Sequence, residues 1–559
     1  MVKRIFSFVG KEISGLHEAA YLLALSSVAS LLFALVRDRL LAHMLGAGAD
    51  LDVYFAAFRV PDFIFVAVAS LVSTSILVPF LIEARQKGED ELKSSIESLF
   101  RAFTFLIVVV SIAAAVFMEP IQRALFPNIF AAGKGADLVL ASRILLLSPI
   151  LLGFGSFFAS ITQMQNRFLV YALGAPLYNI GIILGILFFL PFYGVTGLVW
   201  GVVLGAALLL CIQLPLVIRD GHFPTFSFSF EWARVKQVAR LSIPRTITLS
   251  SQQLSTLALV SFASFLGAGS ISIFNLSFNL QSVPLSIIGA SYSSAAFPML
   301  ARFMAEGNRE AFLGKMISAA KHVIFWAVPL SALFIVLRAQ IVRTVLGSGA
   351  FSWSDTRLTS AALALFVVSA AGQSLILLFV RSFYAEGKTA KPLLINAISM
   401  AVTVGLGFLL IKLYHLVPLF RDFTEALMKA EGSKDSSVLM LPLAFSIGTF
   451  LNLFLHWVSF GREFSGFTRP VLKTAFHSVG ASLIGSLIAY RSLRLFDDVF
   501  DLSTAFGIFM QGLCAGVVGI VAIAAVLALL RSQELRDISA AIHEKVWKVD
   551  RSSLDKLPS

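Results

Sequence analysis

The amino-acid sequence predicts an all-α polytopic membrane protein with about fourteen transmembrane helices, forming two pseudo-symmetric six-helix lobes and two C-terminal helices. Composition is the first indication, since 58% of the 559 residues are apolar, only 14% are charged and the mean hydropathy is +0.87. In soluble domains about half of the residues are apolar and about a quarter are charged. The second indication is that apolar runs long enough to cross a bilayer recur from about residue 19 to about residue 530.

Fourteen apolar runs account for the predicted helices. They cover about residues 19–36, 52–82, 98–118, 137–164, 168–190, 195–218, 239–265, 270–303, 316–337, 359–385, 392–411, 438–460, 474–490 and 503–530. We therefore expect an N-terminal segment, an N-lobe, an inter-lobe loop, a C-lobe, two further helices and a tail. Their bounds are about 1–18, 19–218, 219–238, 239–460, 461–530 and 531–559.

The third indication is an internal repeat. Leu45-Gly-Ala-Gly48, Pro61 and Val78-Pro-Phe-Leu81 recur in the same order as Leu266-Gly-Ala-Gly269, Pro284 and Phe297-Pro-Met-Leu300. Homologous halves of this kind build many transporters, which bind their substrate between the halves. Three GxxxG patterns also indicate close helix contacts. They are Gly181–Gly185, Gly201–Gly205 and Gly512–Gly516.

Lys and Arg residues lie mainly in the short gaps between the apolar runs, which is the arrangement that sets membrane topology. Although the formal net charge is +12, this placement indicates contact with lipid headgroups, and we expect no nucleic-acid partner. The termini and the even-numbered loops hold roughly 28 of the 44 basic residues, and such an excess is typical of cytoplasmic loops. Both termini are therefore predicted to be cytoplasmic.

Motifs of enzymatic chemistry do not occur in the sequence, which has no P-loop, HExxH, GxSxG or Cys/His cluster. The two cysteines, Cys211 and Cys514, lie inside apolar runs and provide neither a disulfide framework nor metal-ligand spacing. We expect a protein that is not an enzyme and that carries no cofactor.

Polar side chains inside the predicted spans are the candidate substrate contacts, because such groups are costly in lipid and by default face an internal cavity. Asp52 and Arg59 lie about two helical turns apart and can share one face. One interpretation is a cationic, hydrogen-bonding cavity for an anionic substrate. The other is hydrogen bonding between helices and snorkelling at span ends. The candidate cavity residues are Arg37, Asp52, Arg59, Arg143, Arg245, Gln252, Asn275 and Asn279.

A series of short motifs carries a family resemblance. It runs through Val36-Arg-Asp-Arg39, Leu45–Gly48, Asp52-Val-Tyr-Phe55, Phe58-Arg-Val-Pro61, Val78–Leu81, Asn166-Arg-Phe168, Ala175-Pro176 with Asn179, Gln213-Leu-Pro215, Phe297-Pro298, Gly307-Asn308, and Phe383-Tyr-Ala385 with Lys388 and Pro392. In order and spacing, these motifs are similar to those of the MurJ (MviN) family. That family belongs to the multidrug/oligosaccharidyl-lipid/polysaccharide (MOP) exporter superfamily.

The resemblance implies a function in cell-wall biogenesis. It implies that lipid II, the undecaprenyl-pyrophosphate-linked peptidoglycan precursor, is flipped from the inner to the outer leaflet of the bacterial cytoplasmic membrane. It also implies alternating access around a cavity lined by helices 1, 2, 7 and 8, with a contribution from the membrane potential or an ion gradient. The implied partners are a polyprenyl-pyrophosphate-linked glycan, membrane lipids and the cell-wall synthesis machinery.

The chain departs from the family at positions that typically carry four arginines and a glutamate. These positions align with Leu31, Phe65, Val66, Ser70 and Asn279, whereas Arg37, Asp38, Asp52 and Arg59 keep the family's pattern. A buried arginine suits a pyrophosphate because its guanidinium forms bidentate, charge-assisted bonds. We therefore hypothesise that Arg143 and Arg245 supply charge from other helices.

Two segments lie outside the shared pattern. The outer loop at 421–437 is longer than the resemblance implies; it is either a short amphipathic helix or a flexible insert, and the flexible insert is favoured. The tail from Arg531 places Leu535, Ile538, Ile542 and Val546 on one helical face. This pattern predicts an amphipathic helix on the inner membrane surface, with a solvated helix as the alternative.

Three functions remain open at this stage. The first is a flippase of a polyprenyl-pyrophosphate-linked glycan, most simply lipid II. The second is a MOP exporter of another lipid-linked oligosaccharide or amphipathic molecule, which the missing arginines favour. The third is a transport-inactive membrane scaffold.

Overall fold

A computed structural model describes residues 16–69, 74–224, 232–433 and 435–537 of the chain. Within these ranges the chain is almost entirely helical and contains no β-strand, which confirms the all-α prediction. The α-helices up to residue 224 are Leu16–Leu45, Ala49–Ala57, Arg59–Ile64, Thr74–Lys87, Glu89–Val116, Met118–Leu125, Pro127–Ala131, Gly135–Leu145, Leu147–Met164, Phe168–Leu184 and Leu190–Arg219. The α-helices after it are Trp232–Ser264, Ser270–Pro284, Ser291–Ala305, Arg309–Val336, Arg338–Val345, Trp353–Val367, Ala370–Ala385, Ala390–Leu416, Pro418–Met428, Met440–Glu463, Thr468–Asp497 and Ala505–Leu529.

The number of membrane-spanning segments agrees roughly with the prediction. In the described ranges, 10 helical segments are long and apolar enough to cross a bilayer, or 11 if a pair bent by 40° at residues 368–369 forms one span. The longest segment, Phe168–Arg219, contains two of the predicted spans, which are separated at Gly194 by a φ of 57°. Such a positive φ favours glycine. The described parts of the predicted spans at about 52–82 and 239–265 are also helical. These helices are not among the 10 segments that are long and apolar enough to cross a bilayer.

The two copies of the sequence repeat share a backbone plan. In the first copy, the helix Arg59–Ile64 leads into a π-helical turn at Phe65–Ala69. In the second copy, the helix Ser270–Pro284 leads into a π-helical turn at Leu285–Ala290. A further π-helical turn occurs at Gly185–Phe189, but only those at Phe65 and Leu285 begin at matching distances after a Leu-Gly-Ala-Gly segment, which supports the repeat.

The described chain forms two compact units that are discontinuous in sequence. The first combines the described residues of Met1–Leu276 with Val345–Thr359 and Asn396–Ala444. The second combines Ser277–Thr344 and Ser360–Ile395 with the described residues of Phe445–Ser559. The lobe bounds derived from the sequence stay a prediction.

Helices of the first unit make close contact at two of the GxxxG patterns. A Cβ added to Gly181 would lie 2.2 Å from the Cα of Gly205, and one added to Gly185 would lie 2.4 Å from the Cα of Gly201. Neither position has room for a side chain. The helices Phe168–Leu184 and Leu190–Arg219 therefore pack backbone to backbone, as small-residue patterns allow in membranes.

The second unit has an aromatic core. The fully buried rings of Phe379, Phe460 and Phe467 lie with their centroids 4.8–5.6 Å apart, in the range of favourable edge-to-face and tilted pairs. The third GxxxG pattern also packs within this unit, where a Cβ on Gly512 would lie 3.0 Å from the Cβ of Gln340.

The structure tests the prediction for the outer loop at 421–437 but leaves most of the predicted tail helix untested. Pro418–Met428 is a helix with proline in its first turn, where a fixed φ favours helix formation, so the favoured interpretation of a flexible insert is wrong for 421–428. The described part of the tail ends at residue 537. Ile538, Ile542 and Val546 lie outside the described residues, and the amphipathic tail stays a prediction.

Candidate functional site

Asp52 joins the two repeat copies. Its carboxylate is buried, with 6% of the residue exposed, and it accepts hydrogen bonds from the N–H groups of Gly269 (2.6 Å) and Ser272 (2.8 Å) and from the Ser272 hydroxyl (2.6 Å). These groups belong to the N-terminus of the helix Ser270–Pro284, where N–H groups lack intrahelical acceptors and a negative charge is favourable. Asp52 therefore caps the helix of the second copy.

Gly269 allows the close approach on which this cap depends. Its φ is 93°, and an added Cβ would lie 2.3 Å from the carbonyl oxygen of Ala47. Both facts require glycine, since other residues rarely adopt this φ and no side chain fits. The last glycine of the second Leu-Gly-Ala-Gly segment thus places the helix N-terminus against the first segment.

Arg59 and Asn275, which the sequence predicts separately, are in contact. The Arg59 guanidinium donates to Oδ1 of Asn275, and Nδ2 of Asn275 donates to the carbonyl of Ile271 at 2.7 Å. The Nε of Arg59 is buried and has no hydrogen-bond acceptor among the described residues. Because a guanidinium has five N–H donors, the described residues satisfy Arg59 only in part.

Arg37 is paired more completely. Its Nε donates to Asp38 at 2.9 Å, a second nitrogen lies 2.8 Å from the same carboxylate oxygen, and a third bond reaches Oδ1 of Asn179 at 3.0 Å. The amide of Asn179 also donates to Ser30 at 3.3 Å. Arg37 thus links the helix Leu16–Leu45 to the helix Phe168–Leu184 within the first unit.

Arg143 is placed away from these groups. It is exposed, and its Nε donates to the carbonyl of Ala115 at 3.0 Å. Ala115 lies in the last turn of the helix Glu89–Val116, where carbonyl groups lack intrahelical donors and a cation is favourable. Arg143 therefore caps that helix, and in the described structure it contacts neither Asp52 nor Arg59.

The remaining candidates are dispersed. The side chain of Arg245 lies outside the described residues. Gln252 is exposed on the helix Trp232–Ser264. Asn279 lies in the second unit, where its carbonyl accepts a hydrogen bond from the Ser282 hydroxyl at 2.6 Å.

Sequence reasoning missed Asp62, although it is an ionisable residue in a predicted span and lies one helical turn after Arg59. Asp62 interacts electrostatically with Arg59 and lines a small recess. The recess also contains the buried hydroxyl of Ser148, which has no hydrogen-bond partner in the described chain. Its lining residues are Phe58, Pro61, Asp62, Phe65, Leu145, Ser148, Pro149, Leu152 and Tyr178.

These contacts define a polar region within the first unit, in which the carboxylates of Asp38, Asp52 and Asp62 lie among the basic groups. Arg37 and Arg59 provide two guanidinium groups, of which Arg59 keeps unused donors. Such donors bind phosphate oxygens in planar, charge-assisted geometry. Among the described residues, no group of three or more His, Cys, Asp and Glu side chains could hold a metal ion.

Comparison with known sequences identifies the family of this chain. The family model described as lipid II flippase MurJ matches residues 41–419. The probable lipid II flippase MurJ of Bdellovibrio bacteriovorus is 27% identical over 500 residues, which cover 86% of this chain and 91% of the relative. The probable lipid II flippase MurJ of Thermotoga maritima is 27% identical over 426 residues, with 74% and 85% covered.

Comparison with solved structures shows the same fold. A structure titled as lipid II flippase MurJ in an inward closed conformation matches with a TM-score of 0.71 and 21% identity, covering 91% of this chain and 99% of the other. An inward-facing multidrug resistance MATE family transporter of the MOP superfamily matches with a TM-score of 0.61 and 16% identity, covering 80% and 94%. At these identities the likeness concerns the fold.

Proposed function

Because this chain belongs to the lipid II flippase MurJ family, we propose that it flips lipid II from the inner to the outer leaflet of the bacterial cytoplasmic membrane by alternating access. The family model spans most of the repeat-containing region, including Asp52, Arg59 and Asn275. The substrate carries a pyrophosphate, so its headgroup needs a cationic contact inside a largely apolar protein. Arg59 provides that contact.

The incomplete hydrogen bonding of Arg59 is the observation that carries this assignment. A buried charge is costly unless it is paired and hydrogen-bonded. Arg59 has a single hydrogen-bond acceptor among the described residues, the amide oxygen of Asn275, and that acceptor is neutral. A pyrophosphate oxygen would supply the missing acceptor, beside the carboxylate of Asp62. Asn275 would hold the guanidinium in place while the phosphate binds.

Asp52 has a supporting role in this proposal. Its carboxylate fixes the start of the helix that carries Asn275, because both of its backbone donors belong to the first turn of that helix. Asp52 therefore positions Asn275 relative to Arg59 and need not touch the substrate. Arg37, which is bound by Asp38 and Asn179, links two helices of the first unit.

The energy source and the partners belong to the same proposal. We expect the membrane potential or an ion gradient to drive the cycle, with both termini in the cytoplasm and the cell-wall synthesis machinery receiving the product. Movement of a net negative headgroup across a membrane that is negative inside is favoured by the potential.

Complementation tests the proposed substrate. A bacterial host depleted of its essential lipid II flippase would express the wild-type chain, Arg59→Gln or Arg143→Gln at matched membrane levels. We expect rescue by the wild type and by Arg143→Gln, and loss of rescue with Arg59→Gln. Failure of an inserted, stable wild-type chain to rescue would contradict lipid II as the substrate.

A second candidate substrate is another lipid-linked oligosaccharide. The observation that favours it is the set of uncharged residues where the family typically carries arginines: Leu31, Phe65, Val66 and Asn279. This alternative predicts no rescue in the depleted host, together with transport of a different polyprenyl-pyrophosphate glycan by the purified chain. If Arg59→Gln abolished that transport, Arg59 would still be the residue that contacts the pyrophosphate.

A further inference from the structure

A short helix with an exposed apolar side follows the span Ala390–Leu416. In Pro418–Met428, Leu419, Phe423 and Leu427 are spaced by four residues and are 80%, 63% and 58% exposed. Residues at this spacing lie along one side of a helix. We call these three side chains the apolar stripe.

The helix is held firmly on the side away from the apolar stripe. Thr424 is buried there, and the Glu425 carboxylate accepts hydrogen bonds from the Tyr414 hydroxyl and, at 2.7 Å, from the Ser436 hydroxyl. Tyr414 and Ser436 are themselves 2.7 Å apart. Tyr414 belongs to the preceding span and Ser436 to the turn that starts the next one. This three-residue cluster fixes the rotation of the helix about its own axis.

The end of the helix is fixed as well. The chain leaves it through Lys429, whose φ is 57°. The Arg357 guanidinium donates to the carbonyl oxygen of Lys429 at 2.8 and 3.1 Å and to that of Glu431 at 3.0 Å. These bonds hold the segment that leaves the helix against the helix Trp353–Val367, which carries Arg357. The apolar stripe is therefore presented outward by a rigid attachment.

The preceding span indicates what covers the apolar stripe. Ala390–Leu416 is long and apolar enough to cross a bilayer, and its exposed side chains Leu394, Phe408, Leu409 and Leu416 form an apolar surface, which in a membrane span is suited to lipid. This surface ends at residue 416, two residues before the short helix begins. The stripe is thus continuous in the chain with a surface suited to acyl chains. Arg421 and Asp422, which are exposed, project from other sides of the helix.

We propose that Pro418–Met428 is an interfacial helix whose apolar stripe inserts into the lipid at the membrane surface where this span ends, which is the outer leaflet in the predicted topology. An apolar side and a charged side on one helix are the features of such a segment. Arg421 is offset by Asp422 and Glu425, so binding rests on apolar area and takes zwitterionic as well as anionic phospholipids. This inference does not depend on which lipid-linked substrate the protein transports.

Site-directed spin labelling tests the interfacial helix. In a background with Cys211→Ala and Cys514→Ala, a nitroxide would be attached to Phe423→Cys or Leu427→Cys, with Asp422→Cys as the matched control. The full chain would be reconstituted in vesicles of phosphatidylethanolamine and phosphatidylglycerol. Power saturation would then measure collisions with oxygen, which concentrates in acyl chains, and with a water-soluble nickel chelate.

We expect the oxygen-to-nickel ratio at 423 and 427 to exceed that at 422 severalfold. Equal, water-like ratios at 422 and 423 would overturn the proposal, because the apolar stripe would then face solvent. A label at 423 that neither reagent reaches would also overturn it, because the apolar stripe would then be covered by protein. Dipolar broadening confined to the 423 label would identify the covering protein as a second copy of the chain. Matched gel-filtration profiles would verify that each labelled chain is folded.

Discussion

The carboxylate of Asp52 accepts two hydrogen bonds from Ser272, one from its backbone N–H at 2.8 Å and one from its hydroxyl at 2.6 Å. Each residue lies in the first turn or so of the helix that follows a Leu-Gly-Ala-Gly segment. The two copies of the repeat are therefore joined at corresponding places by a buried, charge-assisted contact, which is stronger than a neutral hydrogen bond.

The Asp52–Ser272 contact predicts non-additive effects on stability. We expect Asp52→Ala to lower the thermal midpoint in detergent markedly, because hydrogen bonds to a charged group contribute about 1.5–3 kcal/mol. Ser272→Ala should lower it less, since the backbone N–H remains. In the Asp52→Ala background, Ser272→Ala should have little further effect. Asp422→Ala, at an exposed carboxylate, is the matched control and should leave the midpoint unchanged. Additive losses would contradict the contact.

The glycine contact between the helices Phe168–Leu184 and Leu190–Arg219 predicts a steric penalty. In Gly201→Ala, the new Cβ would lie 2.4 Å from the Cα of Gly185, so the helices must separate. Overpacking of this kind costs about 1–3 kcal/mol. The control is Gly405→Ala, where an added Cβ meets no atom within 4 Å. Alanine is the better helix former there, so its thermal midpoint should stay equal or rise. An unchanged thermal midpoint for Gly201→Ala would contradict the close approach of the two helices at Gly185 and Gly201.

The contacts of Glu534 predict that the segment after the last span is attached to the helix Thr468–Asp497 in a pH-dependent way. Burial by itself would raise the pKa of Glu534, but hydrogen bonds from Thr474 and Ser532, both 2.7 Å long, and the nearby Lys321 hold this pKa below its usual 4.5. Because the pKa of Glu534 is lower in the folded state, its ionised carboxylate stabilises the fold fully at pH values above the unfolded-state pKa. This stabilisation is lost as the pH falls through the folded-state pKa.

The corresponding experiment compares thermal midpoints across pH. At neutral pH, Glu534→Gln should be less stable than the wild type, and the difference should shrink as the pH falls below 4.5. Glu310→Gln is the control, because Glu310 is exposed in the same unit. It should show no such convergence. A Glu534→Gln difference that stays constant with pH would mean that the carboxylate's charge has no role.

Much of the fold follows from the sequence because lipid imposes simple rules. Apolar runs predict spans, since every backbone polar group must be satisfied within the helix. The glycine pairs at 181–185 and 201–205 also predict a contact, because small residues permit one. The helix Pro418–Met428 does not follow from the sequence, because it is held by Tyr414, Ser436 and Arg357, which only the folded chain brings together.

The site was less predictable, because each polar residue had to be assigned a partner. Arg143 lies in an apolar run, but only the structure shows that it caps a helix through Ala115. Asp52 is separated from Ser272 by more than two hundred residues, and a contact between residues so far apart cannot be predicted from one sequence. Asp62 could have been found, since an ionisable residue one turn from Arg59 in a span is a functional candidate on its own.

Direct transport by the purified chain tests the central claim. Wild type, Arg59→Gln and Arg143→Gln would be reconstituted into liposomes that contain fluorescent lipid II in both leaflets, and a membrane-impermeant reductant would be added outside. We expect the wild type and Arg143→Gln to expose the inner-leaflet pool, so that fluorescence falls beyond the level of protein-free liposomes. Arg59→Gln should stay at that level with an unchanged thermal midpoint. A wild-type chain that leaves the inner pool protected, under an imposed membrane potential as well as without one, would contradict the account.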